Sequence, residues 1–192
     1  LYRYDTDHDG EITFDGDKLA YKGLTPIFES LVAGNKTFTY PDVDNLALVA
    51  ALTFQPEGKV IRLTPDGDTG GAGNGSSFID CVLCGEETHF MNPTATLTIN
   101  AGAGIDSVYV GRLDNVVPST FTDLNVNGGG APGGGVAFPT AMAHDYIRVS
   151  PSVSYEINVD GGDPATAAVD ACVSPDVLDL DFSGTSGGKL TY

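Results

Sequence analysis

The chain has 192 residues, enough for one domain with a sizeable core or for two small ones. Its 9 Lys and Arg stand against 26 Asp and Glu, a formal net charge of -17 that repels polyanions and argues against nucleic acid as a partner. The same excess costs stability through self-repulsion, which bound cations such as calcium would relieve. No apolar run reaches bilayer-spanning length, so no membrane span is expected in this segment.

The first element, Leu1 to Tyr4 (LYRY), is strand-like, and the last four residues, Lys189 to Tyr192 (KLTY), match it in character. Chain ends with this pattern are expected to pair, within the domain or with a neighbour. Two origins fit such ends, a piece processed from a longer protein or a mature chain after signal removal. The stretch from Asp5 to Asp17 reads DTDHDGEITFDGD. Asp5, Asp7 and Asp9 occupy the first, third and fifth positions of a calcium loop, Gly10 the sixth, and Glu11 would offer its backbone carbonyl. The twelfth position, ordinarily a bidentate Glu, is Gly16, and strand formers flank the stretch, which excludes the helix-loop-helix version. Two readings remain, a calcium loop on a strand or a solvated acidic hairpin turn.

Further along, PDVDNLALVAALTF reads either as a short helix capped by Asp44 or as a buried strand. CVLC spans Cys81 to Cys84, with His89 nearby and Cys172 remote. A zinc site would want a second close pair, and haem attachment would want His where Gly85 stands. A disulfide among Cys81, Cys84 and Cys172, or buried thiols, fits these residues as well.

Three segments repeat one pattern: LTINAG from Leu97, LNVNGG from Leu124 and EINVDGG from Glu156. Each alternates apolar and polar residues and ends in Asn or Asp before a glycine turn. Alternation places Leu97 and Ile99 on one face, with Thr and Asn on the other. Units this short cannot bury their own apolar face, so the chain is expected to be all-β, as stacked coils of a parallel β-helix or as successive strands of a β-sandwich. The glycine-rich stretches between them read as turns; none is followed by the helix and basic residue that a phosphate-binding loop needs. A change of character near AMAHDYIRVSPS divides the chain into a solenoid-like module, residues 1–145, and a C-terminal β segment, residues 146–192, packed on it or on a neighbouring unit.

The series DGEITFDGDKLAYKGLTPI, GNGSSF, ETHFMNPTATLTINAGAGIDSVYVGRLDN and LNVNGG resembles a repeat unit of very large secreted, adhesin-like proteins of planctomycetes and other aquatic bacteria. SYEINVDGGDP and PDVLDLDFSG are similar to a segment that follows such units. The resemblance covers most of the chain and implies an extracellular or cell-surface structural repeat with a β-helix-type fold. Related units often carry an acidic G-D-G-D-D turn, distantly like hemolysin-type calcium repeats. Here that turn reads Gly102, Ala103, Gly104, Ile105, Asp106, which argues against calcium at this place. Cys81 and Cys84 are also foreign to the pattern.

No GxSxG or HExxH is present, and Arg3, Arg62, Arg112 and Arg148 are scattered, as are His8, His89 and His144. The sequence therefore leads to a non-catalytic structural module, a repeat of a giant adhesin or a filament subunit, with copies of itself or adjacent repeats as partners through edge strands such as LYRY and KLTY. A calcium-dependent module that binds surface glycans is the alternative, and a carbohydrate-active β-helix enzyme is the third.

Overall fold

The computed structural model describes residues 1–5, 9–24, 26–40, 59–66, 75–81, 87–102, 106–113, 121–129, 145–150, 155–162 and 176–182. Among them every regular element is a strand. In chain order these are β1 (Tyr2–Tyr4), β2 (Asp9–Phe14), β3 (Asp17–Lys22), β4 (Ile27–Glu29), β5 (Asn35–Thr39), β6 (Val60–Pro65) and β7 (Ser76–Cys81). They are followed by β8 (Glu87–Met91), β9 (Thr96–Asn100), β10 (Ser107–Val110), β11 (Asp123–Asn127), β12 (Tyr146–Val149), β13 (Glu156–Asp160) and β14 (Val177–Leu180). The stretch weighed as a helix from Asp44 lies outside the described residues.

The protein is all-β, built on two mixed sheets that do not close. The first runs β13-β11-β9-β5-β1-β2-β3 and the second β14-β12-β10-β6-β7-β8-β4. From β9 onward successive strands alternate between them; β9 pairs in parallel with β5 and β10 with β6, and from β11 onward each pairs in parallel with the strand two places earlier. The three similar segments found in the sequence lie side by side and in register, with Leu97 beside Leu124 and Leu124 beside Ile157. Strands on both sides of residue 145 share both sheets, since β12 pairs with β10 and β13 with β11.

Alternation is what makes these segments strands with one buried face. Leu97, Ile99, Leu124 and Val126 are fully buried, whereas Thr98, Asn100, Asn125 and Asn127 keep partial access to solvent. The second sheet contributes Ile61, Leu63, Val108, Val110, Ile147 and Val149 to the same core. Burying one such aliphatic side chain stabilises the fold by about 1.5–3 kcal/mol. On the wet face the polar side chains form ladders of their own. Asn127 Nδ2 donates to Asn100 Oδ1 at 2.7 Å, Asn158 Nδ2 to Asn125 Oδ1 at 3.1 Å, and Asn100 Nδ2 to Thr39 Oγ1 at 3.2 Å.

Each of these strands ends at a corner whose second residue has positive φ: Gly102 (87°), Gly129 (104°) and Gly162 (88°). Only glycine adopts this conformation without steric cost, and a Cβ on Gly162 would also overlap the Gly129 carbonyl of the coil beneath.

At the other end of the first sheet the packing is aromatic. Tyr2 stacks on Phe38 at 4.8 Å, Tyr4 lies 4.8 Å from Tyr40, and Phe38 meets Phe90 of the second sheet at 4.6 Å. Tyr4 Oη and Thr88 Oγ1, 2.8 Å apart and buried, tie the two sheets together. β2 and β3 form a hairpin whose two turn residues, Asp15 (φ 51°) and Gly16 (φ 92°), have the paired positive φ of the tight turn that Asp-Gly favours.

One expectation is corrected here. LYRY is not an edge strand, because β1 lies between β5, with which it is parallel, and β2, with which it is antiparallel. Its backbone groups are used within the sheet. Among the described residues the edges are β3 and β13 in the first sheet and β4 and β14 in the second; KLTY lies outside the described residues.

Candidate functional site

The acidic stretch at the start of the chain is extended from Asp9 to Phe14. Asp9 and Glu11, at the fifth and seventh positions of the calcium-loop pattern, both lie in extended strand β2. Asp5 precedes it in the turn from β1, where its N–H donates to the Asp9 carbonyl at 2.9 Å. Asp5, Asp9 and Glu11 each have a different partner. Arg3 grips Asp5 with two bonds of 2.9 and 3.1 Å, Asp9 Oδ1 accepts the Gly23 N–H at 2.9 Å, and Lys18 Nζ sits 2.9 Å from Glu11 Oε1. The Lys18 contact is the main reason the Glu11 carboxyl titrates below the usual range. Asp7 and His8 lie outside the described residues, and among the described residues no group of three or more His, Cys, Asp and Glu side chains could hold a metal ion.

Cys81 is disulfide-bonded. Cys84 and Cys172 lie outside the described residues, as does His144. His89 is on β8, its ring between Phe28 (4.6 Å, stacked) and Phe78 (4.8 Å), with Nδ1 3.0 Å from Asp66 Oδ1. The arginines do not converge. Arg3 serves Asp5, and Arg148 pairs with Asp181 at 2.9 Å and Asp179 at 3.6 Å on the outer face of the second sheet.

The sequence reading missed a column of aspartates at the start of the sheet-two strands. Asp106, Asp145 and Asp176 each stand one residue before a strand, β10, β12 and β14. Each Oδ1 accepts a backbone N–H from the equivalent residue before the neighbouring strand of the sheet: Lys59 to Asp106 at 3.0 Å, Asp106 to Asp145 at 2.7 Å, and Asp145 to Asp176 at 3.0 Å. Lys59 Nζ lies 3.3 Å from Asp106 and closes the column with a cation. Gly128 and Gly161 leave the room: a Cβ on either would overlap the carboxylate of Asp145 or Asp176. Thus Asp106, the one carboxylate left in the central turn, is fully buried and acts as a backbone cap.

Two further charged groups are held inside. Lys36 occupies the inner-face position beside Leu97, where its ammonium meets Glu29, donates to the Leu31 carbonyl at 2.7 Å and lies 5.5 Å from the centre of the Phe90 ring. Burial lowers its pKa, against the raising influence of Glu29. Tyr2 is raised first by burial and then by the neighbouring Glu29 carboxylate. This cluster ties edge strand β4 to β5.

Among the described residues, the large apolar side chains that remain exposed lie towards the two ends of the sheets. Among the described residues the exposed large hydrophobics are Leu1, Phe14, Leu19, Leu24, Phe28, Leu31 and Val32 at one end, and Val177, Leu178 and Phe182 at the other. None comes from the central strands β5 to β12. Burial fades along single columns: Ile147 is 1% exposed and its ladder neighbour Leu178 is 50% exposed.

Two mixed, open sheets define an all-β protein, and that is the class the geometry establishes. No protein-family model, no curated protein and no solved structure matches the chain.

Proposed function

We propose that this chain is a non-catalytic structural module of an extracellular or cell-surface array, with copies of itself or like units as partners. The fold that goes with this reading is a two-sheeted parallel β-solenoid in which each coil lays one strand in each sheet. Strand alternation between the sheets and in-register parallel pairing support the solenoid over a β-sandwich, whose sheets are antiparallel. The observation that carries the functional reading is the fading of burial along the columns towards both ends. A solenoid contacts only its neighbouring coils, so terminal coils with half-covered apolar rungs call for another unit.

The resemblance to repeats of giant secreted adhesins supports a surface location, and a disulfide at Cys81 accords with an oxidising compartment. In cells that produce the protein, an antibody to it is expected to label intact cells or their shed material. Labelling that needs permeabilised cells would overturn the surface assignment.

A calcium-dependent module that binds surface glycans is the second reading, favoured by the net charge of -17 and the close-set Asp5, Asp7 and Asp9. It requires Asp5 and Asp9 to exchange their present partners for the ion, and chelation then lowers the melting temperature.

A further inference from the structure

We infer that the two ends of the stack are mates, and that the partner is a second copy of this chain docked head to tail, the β3/β4 end of one against the β13/β14 end of the other. The inference rests on the structural-module reading and adds which surfaces meet and in which sense.

Strand direction is the first argument. β1 is parallel to β5, and two antiparallel steps through β2 return β3 to the same sense. In the second sheet two antiparallel steps, β6 to β7 and β7 to β8, followed by the parallel pair β8 and β4, return β4 to the sense of β6. Both edges at the head therefore run with the edges at the tail, β13 and β14. A copy added by simple continuation extends both sheets with the parallel pairing already used between coils, whereas a two-fold contact between like ends sets like edges antiparallel.

Charge is the second. Edge strand β3 reads DKLAYK, with Lys18 and Lys22 against Asp17, while β13 carries Glu156 and Asp160 and β14 carries Asp179. Along the sequence, Arg3, Lys18, Lys22 and Lys36 all precede residue 40, and Arg148 alone represents Lys and Arg between residues 113 and 188. Two such acidic tails repel, which disfavours a contact of tail with tail.

The sequence supplies the third. Lys18 to Tyr21 of β3 reads KLAY, and Lys189 to Tyr192, which follow β14 along the chain, read KLTY. The segment that follows the tail strands in the sequence thus repeats the residue pattern of the head edge.

The test uses the 192-residue chain and two variants at exposed positions, Leu19→Asp at the head and Leu178→Lys at the tail, each checked for unchanged strand content and melting. In sedimentation velocity the unmodified chain is expected to pass to progressively larger species as concentration rises. Either variant alone is expected to stop as a monomer, and an equimolar mixture to stop as a dimer, joined by the one intact head and the one intact tail. Dimers of either variant alone would mean contact between like ends and overturn the polarity. An unmodified chain that stays monomeric throughout would overturn the inference and leave the surface assignment, read by antibody labelling, standing. Association that begins only when residues 187–192 are deleted would equally overturn it, since the chain's own KLTY segment would then be the occupant.

Discussion

Single side chains in this protein act mainly across coils. Asp145 is buried, and its Oδ1 receives the Asp106 N–H at 2.7 Å. Replacing it with Ala leaves that amide without its acceptor, and the expected loss is about 1–3 kcal/mol by chemical denaturation. Asp80 works in the opposite sense. Burial raises its carboxyl pKa and Glu87 adds to the shift, outweighing the opposing pull of Arg62. A carboxyl with a raised folded pKa destabilises the fold once pH exceeds its unfolded value, and the penalty is complete above its folded value. Asp80→Asn is therefore expected to stabilise the protein at neutral pH, with the gain vanishing in acid; equal melting temperatures at pH 7 would contradict the assignment. At the chain start, Asp5, Asp9 and Glu11 are occupied by Arg3, the Gly23 N–H and Lys18. Chelator is expected to leave the melting temperature unchanged, and a clear drop would favour the calcium reading.

At the scale of elements, the pairs of a ladder are unequal. Leu124 is fully buried between Leu97 and Ile157, so Leu124→Ala is expected to cost about 2–5 kcal/mol. Asn127 on the wet face of the same strand makes one side-chain bond to Asn100, and Asn127→Ala is expected to cost about 0.5–1.5 kcal/mol. Equal losses would mean that the faces are not divided as described. The strands that carry these residues were legible in the sequence because alternation and a closing Asn or Asp with glycine within the next two residues are local signals. LTINAG, LNVNGG and EINVDGG show both, despite spacings of 27 and 33 residues. The aspartate column was not legible, because its bonds join residues 47, 39 and 31 apart and nothing adjacent marks them. Lys36 misleads for a similar reason: a lysine in a strand reads as solvent-facing until Glu29 and Leu31 are placed beside it. LYRY reads correctly as a strand, but its place inside the sheet depends on Phe38 and Ile12, which lie on opposite sides of it.

On the scale of the molecule, an all-β protein with a net charge of -17 repels itself. Screening by salt is expected to raise the melting temperature between low and physiological ionic strength, and an unchanged or falling value would show that internal pairs outweigh the net repulsion. The central account is that each inner strand is held by the strands on either side and that, among the described residues, β3, β4, β13 and β14 have a neighbour on one side alone. Amide hydrogen exchange reads this directly, strand by strand. In the dilute monomer, protection is expected to be greatest in β9, β10 and β11 and to fall towards β13 and β14 at one end and β3 and β4 at the other, then to rise at those four edges as concentration drives association. Edges as well protected in the monomer as β9 to β11 would contradict the account.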